Sequence, residues 1–253
     1  MKQLIMAAFL ALAWSQAAPA DTRGKPDEEA LARAARLNAQ LAVAYLKQND
    51  VNAAREKIEK ALAENPHDSG VQGAAGLVYT RMQELDKAEG HWSAALRLAP
   101  DDAEVQNNYA VFLCQRGKTD KGLKLFEQAA RNASYATPEV AYANAGVCAR
   151  NGKNPAKAED LFRKALSIRA DYPDALLQMA DLSLAKDAAL AARAFLDRYF
   201  AVAPVTPESL LLGIRIAHKT GDRATEDKYS DRLEHDFADS DQARRLREGA
   251  GQR

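Results

Sequence analysis

The sequence predicts an all-α fold, a right-handed superhelical solenoid of about six helical hairpins in one domain. The first observation is a repeat: Pro66 and Pro100 lie 34 residues apart, and the same order of small and large residues precedes each of them. The second is composition, because 47% of the 253 residues are hydrophobic and no stretch shows the alternation of a strand. A chain of this length buries a sizeable elongated core when hairpins stack.

Each repeat combines small residues, where two antiparallel helices approach closely, with large residues where the helices diverge. In the second unit, Gly76 and Ala88 are the expected close contact, and Tyr79 and Trp92 fill the wider space. A proline then ends the second helix, as Pro100 does here. This spacing is the tetratricopeptide pattern. The corresponding residues of the next units are Tyr109, Ala110, Gly122, Phe126 and Ala129, then Ala145, Gly146, Ala158, Phe162 and Ala165, then Met179, Ala180, Ala192 and Leu196.

Two units depart from the regular pattern. The fourth starts two residues late, because residues 134–138 lengthen the connection before it. The sixth keeps the pattern only in part, with Glu226 at a small-residue position. A degenerate final unit is expected, since a terminal repeat faces water on one side.

Residues 1–20 are predicted to be a secretory signal peptide. Lys2 precedes an apolar run over 4–14, which is too short to span a bilayer, and Ala18 and Ala20 form a small-x-small cleavage site. Cleavage between Ala20 and Asp21 would deliver the protein to an oxidising space such as a bacterial periplasm; the competing interpretation is an uncleaved signal that acts as an anchor. The expected domains are a flexible leader with the start of the first helix at 21–34, six repeats at 35–238, and a charged tail at 239–253.

The charge balance argues against nucleic acid as a partner. The chain has 35 Lys and Arg residues and 35 Asp and Glu residues, so its formal net charge is zero and no basic surface is expected. Arg244, Arg245 and Arg247 form the one local basic cluster. We interpret that cluster as a solvated helix end.

The two cysteines, Cys114 and Cys148, lie near the ends of the first helices of units three and four. In a stacked array these helices are neighbours that run roughly parallel, so the two sulfur atoms come within reach of a disulfide. An exported location favours oxidation. Two buried, inert thiols are the alternative. A redox or nucleophilic role is not expected, because there is no Cys-x-x-Cys motif and no histidine near either cysteine in the sequence.

No motif predicts catalysis, a metal site or a cofactor. Residues 146–153 superficially resemble a phosphate loop, but five residues separate the glycines instead of four, and Asn154 stands where Ser or Thr should follow Lys153. No pair of carboxylates marks a catalytic cleft. The histidines lie in different units and lack metal-ligand spacing. They are His67, His91, His218 and His235.

The first helices of successive units are expected to line a concave groove whose exposed side chains decide what binds. In the early units these side chains are small and apolar, which suits an extended or helical peptide with aliphatic side chains. Asn107 and Asn108 add amides that can hold a peptide backbone, although Asn108 is equally suited to cap or bridge helices. For several positions the alternative is the core between helices. The predicted binding set is Ala39, Val43, Leu46, Leu77, Asn107, Asn108 and Val111, and the same face continues through Gly73, Cys114, Val147, Leu177, Asp181, Leu184, Leu211, Arg215 and His218.

Four stretches carry a family resemblance: NNYAVFLC at 107–114, SYATP at 134–138, NAGVCA at 144–149 and PESLLLGIR at 207–215. They resemble the type IV pilus biogenesis and stability proteins of the PilW/PilF type, over essentially the whole chain after the signal. The inserted Tyr-x-Thr-Pro connection and the Leu-Leu-Leu-Gly-Ile-Arg stretch are the more specific matches. The resemblance implies a periplasm-facing protein of six repeats, with a disulfide at the matching cysteines in some members.

The resemblance also implies a role as pilotin or assembly factor for the pilus secretin, the outer-membrane ring through which the fibre emerges. Members commonly carry a lipidated cysteine after the signal, whereas this sequence has Asp21 there. Since a lipid chain would carry a secretin to the outer membrane, the sequence favours a soluble periplasmic chaperone or stability factor, peripheral to the outer membrane and without an evident lipid anchor. A misassigned start or a second, lipidated partner protein is the alternative explanation. The protein is expected to be a monomer. The alternative function is a general periplasmic scaffold or co-chaperone for other envelope proteins, such as cell-wall enzymes.

Overall fold

A computed structural model describes residues 27–250, and all regular secondary structure in that range is helical, as predicted. The proposed signal peptide and its cleavage site at Ala20 and Asp21 lie outside the described residues. The helices are α1 (Glu28–Lys47), α2 (Val51–Glu64), α3 (Ser69–Arg81), α4 (Leu85–Leu98), α5 (Ala103–Gln115), α6 (Thr119–Arg131), α7 (Pro138–Asn151), α8 (Pro155–Ile168), α9 (Pro173–Ala185), α10 (Ala189–Val202), α11 (Pro207–Thr220), α12 (Arg223–Asp236) and α13 (Asp241–Ala250).

Consecutive helices pair into hairpins, and the hairpins stack in chain order. Each odd-numbered helix from α1 to α11 packs on the even-numbered helix that follows it and on the next odd-numbered helix. The odd-numbered helices therefore line one face of the stack, and the even-numbered helices form the other side. This is the solenoid that the repeat predicts.

Aspartates fix where the odd-numbered helices α3 and α5 begin. The Oδ1 atom of Asp68 accepts hydrogen bonds from the amides of Gly70 and Val71 at 2.9 and 3.1 Å. Asp102 repeats the arrangement at the start of α5. Each carboxylate satisfies amides that have no partner inside the helix. The negative charges also lie where the helix dipole favours them.

The turn inside every hairpin contains one residue in the left-handed backbone region, at the spacing of the repeat. Two of these residues are glycines, Gly117 and Gly221, with φ of 73° and 71°. The other four carry side chains that make this conformation less favourable. They are Asn49, Gln83, Lys153 and Asp187, with φ of 62°, 61°, 61° and 63°.

Small residues on the odd-numbered helices make room for large residues of the even-numbered helices. A Cβ atom on Gly76 would lie 2.6 Å from the indole of Trp92, and one on Gly146 would lie 2.5 Å from the ring of Phe162. Both rings are consequently buried. The sequence pattern paired Gly76 with Ala88, but the atoms nearest to the missing Cβ belong to Trp92.

The segment expected to be a charged tail forms α13, which packs on α11 and α12. Ala243 is fully buried, and Leu246 packs against the cluster that contains Leu210 and Leu233. α13 thus takes the place of the first helix of a seventh hairpin. It covers the apolar end of the last repeat with a helix whose outer side is charged.

Candidate protein-binding groove

Helices α1, α3 and α5 enclose a groove of about 520 Å³ on the face formed by the odd-numbered helices. Its floor is small and aliphatic, because Ala39 and Val43 of α1 face Gly73 and Leu77 of α3 across the groove. Val43 and Leu77 are half-buried and so keep apolar surface available. Such a groove can take aliphatic side chains and offers little that could perform catalysis.

Trp92 extends the floor from below, although it belongs to the even-numbered helix α4. Gly73 has no side chain, and a Cβ at that position would lie 3.7 Å from Cζ3 of the indole. The indole therefore lines the groove. The repeat pattern predicts Trp92 only in the core; the signal that could have revealed its place in the groove floor is the pair of glycines, Gly73 and Gly76, one turn apart on α3.

The rim of the groove carries opposite charges on its two sides. Arg36 and Lys47 line it along α1, and Asp102 and Glu104 line it at the start of α5. Asp68 lies between them, where its Oδ2 atom is 3.3 Å from a guanidinium nitrogen of Arg36. The sequence did not single out these rim residues, although Arg36 and Glu104 lie one helical turn before the predicted positions Ala39 and Asn108.

Four members of the predicted binding set line this groove: Ala39, Val43, Leu77 and Asn108. Leu46 is not among the residues that line it, although Leu46 is half-buried against the same core as Val43 and Leu77. Val111 is half-buried against the core of the central hairpins. Asn107 is buried and lies outside the groove.

The asparagines link neighbouring helices. Asn144 Nδ2 of α7 donates to Asn107 Oδ1 at 3.1 Å, and Asn107 Nδ2 donates to Asn108 Oδ1 at 3.2 Å. Both polar ends of the Asn107 amide are therefore bonded within the protein. Asn108 is exposed and is the one of the two that faces the groove.

Further along the stack, ion pairs interrupt the apolar surface of the face formed by the odd-numbered helices. Asp181 of α9 accepts from Arg150 of α7 and, at 3.4 Å, from Arg215 of α11. Arg150 also donates to Gln178 Oε1 at 2.7 Å. Three successive odd-numbered helices are thereby joined by charged side chains where the earlier hairpins present valine and leucine.

A second recess of about 660 Å³ lies beyond these ion pairs, between α9 and α13. Four sequence-predicted positions line it: Leu184, Leu211, Arg215 and His218. Its remaining walls are largely charged. They include Asp187, Lys219, Glu226, Asp227, Glu234 and Arg245.

Cys114 and Cys148 form a disulfide, with their Cα atoms 5.6 Å apart. The bond joins α5 to α7 across the joint that the two-residue insertion lengthens. Cys148 is buried and Cys114 half-buried. The expectation of a disulfide is confirmed, and the alternative of two buried free thiols is wrong.

The histidines lie apart from one another, in separate local contacts. His91 Nδ1 is 2.7 Å from Gln72 Oε1, and His218 Nδ1 is 3.1 Å from Glu226 Oε1. Burial lowers the pKa of His91, and the charge of Lys87 adds to this. Between residues 27 and 250, no three His, Cys, Asp or Glu side chains are grouped as metal ligands.

No helix in the same range is long and apolar enough to cross a membrane.

Comparison with known proteins agrees with the geometry. Two tetratricopeptide-repeat family models match residues 39–103 and 101–171. The chain is a tetratricopeptide-repeat protein. The type IV pilus assembly protein PilF of Pseudomonas aeruginosa is 28% identical over 190 residues, which are 75% of each chain.

Two solved structures extend this relationship to nearly the whole fold. The crystal structure of PilW, described as a widely conserved type IV pilus biogenesis factor, superposes with a TM-score of 0.75 at 27% identity, covering 84% of this chain and 97% of PilW. The structure of Pseudomonas aeruginosa PilF gives 0.74 at 26% identity, covering 87% and 99%. The protein is a homologue of the type IV pilus biogenesis factors PilF and PilW.

Proposed function

We propose that this protein is a non-enzymatic assembly factor of the type IV pilus that binds the outer-membrane secretin in the periplasm and promotes its assembly or multimer stability. The observation that carries the proposal is the apolar groove over α1, α3 and α5 in a homologue of PilF and PilW. The groove would hold an aliphatic segment of a secretin subunit before subunits close into a ring.

The size of the groove suits a short segment bound with moderate affinity. Burying one Val, Leu or Ile side chain contributes about 1.5–3 kcal/mol. A groove of about 520 Å³ has room for only a few such side chains. After the entropy of association is subtracted, an affinity near the micromolar range is expected, on the order of 8 kcal/mol. Such binding shields apolar surface and still yields to tighter contacts within the ring.

The rim charges would set the direction in which the segment lies. Arg36 and Lys47 lie along the α1 side, and Asp102 and Glu104 on the α5 side. A segment with an acidic residue towards α1 and a basic residue towards α5 meets opposite charges at both ends, whereas the reversed segment meets like charges. The exposed amide of Asn108 offers a hydrogen bond to its backbone.

The first test is a gel of unheated membranes from cells with and without this gene, probed for secretin multimers that dissociate on heating. We expect the multimer to be lost while the monomer remains. The location of that monomer then separates transport to the outer membrane from stabilisation of the ring. An unchanged multimer would contradict the proposal and favour the general periplasmic scaffold for other envelope proteins.

A further inference from the structure

One position of the repeat carries an amide side chain in three of the first four hairpins. Gln40 of α1, Ala74 of α3 and Asn108 of α5 are equivalent by the 34-residue repeat, and all three line the groove. After the two-residue insertion the next equivalent residue is Asn144 of α7. Because the hairpins stack in register, Gln40, Asn108 and Asn144 lie in one row across the odd-numbered helices, which we call the amide line.

Each member of the amide line has polar groups that the protein itself does not use. Asn107 Nδ2 donates to Asn108 Oδ1 at 3.2 Å, and Asn107 Oδ1 accepts from Asn144 Nδ2 at 3.1 Å. Among the described residues, nothing bonds the N–H groups of Asn108, the Oδ1 atom of Asn144 or the amide of Gln40. Gln40 and Asn108 are exposed and Asn144 is half-buried. A donor on α5 and an acceptor on α7 are thus held in place by Asn107, ready for a partner.

The line ends where the ion pairs begin. Gln178 of α9 holds the equivalent position in the fifth hairpin, but its Oε1 atom accepts from Arg150 at 2.7 Å. Arg150 is also paired with Asp181. In the sixth hairpin the buried Leu212 replaces the amide. Helices α1, α5 and α7 therefore carry the amides that are open to a partner.

The groove beside the line is too narrow to seat a helix. It crosses three helices, which pack about 8–10 Å apart, so its length is about 20 Å. A volume of about 520 Å³ then corresponds to a mean cross-section of about 25–30 Å². Half of an α-helix has a cross-section of roughly 40–55 Å². Half of a β-strand, from the spacings of strands and sheets, needs about 23 Å².

An extended chain also suits the amides chemically. Its main-chain N–H and C=O groups are free, whereas a helix bonds them internally. Binding of a strand by its main chain takes its affinity from these hydrogen bonds and its specificity from alternate side chains. The aliphatic floor beside the amide line offers both kinds of contact.

We infer that the groove and the amide line hold an extended segment of the secretin subunit by its main chain, with every second side chain on the aliphatic floor. The inference rests on the proposed function for the identity of the partner and adds the conformation of the bound segment. From α1 to α7 the segment spans about 25–30 Å, or about eight residues. Beyond α5 it is held through Asn144 by its main chain alone, so Val147, one turn further along α7, stays in water.

The first experiment uses overlapping peptides of about 15 residues that cover the cognate secretin, which is longer than the expected span. The peptide with the highest affinity for the purified protein is made again with one N-methylated residue at a time. N-methylation removes a main-chain N–H and keeps the side chain. We expect affinity to fall about tenfold at positions whose N–H faces the amide line, and to change little at the residues between them.

A peptide with a hydrocarbon staple that enforces a helix is expected to bind more weakly than the unmodified peptide. Tighter binding of the stapled peptide would overturn the inference, as would N-methylation without effect at every position. Binding of solubilised secretin monomer without binding of any peptide would also overturn it, because a continuous segment is required.

Variants of the protein test the amide line directly. Gln40→Ala breaks no internal hydrogen bond, and alanine retains the helix. We expect its affinity for the peptide to fall about fivefold or more, and one N-methylated position to lose its effect in this variant. The matched control is Gln128→Ala, which removes an exposed amide from the even-numbered helix α6 and should leave affinity unchanged.

The outcomes separate this inference from the proposed function. If the wild-type protein binds neither secretin monomer nor any peptide, the proposed function fails, and the inference fails with it. If the wild type binds and Val43→Asp does not, while Gln40→Ala and the N-methylated peptides bind normally, the groove is the binding site and only recognition of the main chain is refuted.

Discussion

The Sγ atom of Cys114 occupies space that a side chain at Gly122 would need. A Cβ atom built on Gly122 would lie 2.3 Å from this sulfur and 3.0 Å from the carbonyl oxygen of Ala110. The disulfide to Cys148 and the glycine of the facing helix α6 therefore depend on each other. A bond that joins α5 to α7 is accommodated only because α6 has no side chain at this point.

Gly122→Ala is expected to lower the free energy of unfolding by about 2–3 kcal/mol, since neither the disulfide nor the backbone of α5 can move freely away. Urea titration followed by circular dichroism measures the change. In a background with Cys114→Ala and Cys148→Ala the loss should be smaller, because the sulfur is gone. An equal loss in both backgrounds would show that the Ala110 carbonyl alone sets the limit.

Breaking the disulfide should destabilise the protein without unfolding it at room temperature. The bond closes a sequence separation of 34 residues. The chain-entropy estimate for such a loop is about 3–4 kcal/mol. Urea titrations with and without dithiothreitol give the difference. The Cys114→Ala and Cys148→Ala double variant is the control, since its transition should not respond to the reductant.

Val43→Asp is expected to abolish binding of the secretin while the helical content stays the same. A carboxylate in the apolar groove would lose hydration when an aliphatic partner covers it, which reduces affinity at least about a hundredfold. Isothermal titration calorimetry measures the affinity. Val147→Asp is the matched control, because Val147 holds the equivalent position on α7, is exposed, and lies outside the groove. Unchanged binding by Val43→Asp would move the site to another face.

Lys153→Gly is expected to stabilise the fold. Lys153 has φ of 61° in the turn between α7 and α8, where a side chain costs about 1 kcal/mol. Glycine removes that cost but adds entropy to the unfolded chain, so the net gain is about 0.5 kcal/mol. The converse change, Gly117→Ala at φ of 73°, should destabilise by about 1 kcal/mol. Thermal unfolding of both variants decides whether the shifts have opposite signs.

His91 should make stability depend on pH. Gln72 Nε2 donates to the carbonyl of Pro66 at 2.6 Å, so Gln72 Oε1 is left to accept from His91 Nδ1. Burial, with a smaller contribution from Lys87, lowers the pKa of His91 below its ordinary value of 6.5. The unfolded chain therefore binds this proton more readily, and the stability that neutral His91 contributes above its unfolded pKa is lost as the pH falls through the folded pKa.

The expected result is that the melting temperature of the wild type falls more steeply than that of His91→Gln between about pH 7 and about pH 5. Differential scanning calorimetry at several pH values measures both slopes. Parallel slopes for the two proteins would assign the pH dependence to other groups.

Several features could be predicted from sequence because each depends on residues close in the chain or on the repeat itself. The spacing of prolines and small residues predicts the hairpins, and the register of the repeat places Cys114 and Cys148 on neighbouring parallel helices. The same register assigned Ala39, Val43, Leu77 and Asn108 to one face, and these four line the groove. Periodicity suffices here, since a helix face is determined by offsets of three and four residues.

The tertiary structure decided which residues of that face remain open. Leu46 and Val111 have the same periodicity as Val43 and are likewise half-buried, yet only Val43 lines the groove. Trp92 reaches the groove floor from an even-numbered helix because Gly73 lacks a side chain, and no offset within one helix can show that. The exposure of Leu37 on α1 is likewise decided by packing. By pattern Leu37 is equivalent to the buried Val71, but among the described residues only Val71 has a preceding hairpin, whose helix α2 packs on α3. Sequence determined the faces of the helices, whereas contacts between hairpins determined which of those faces a partner can reach.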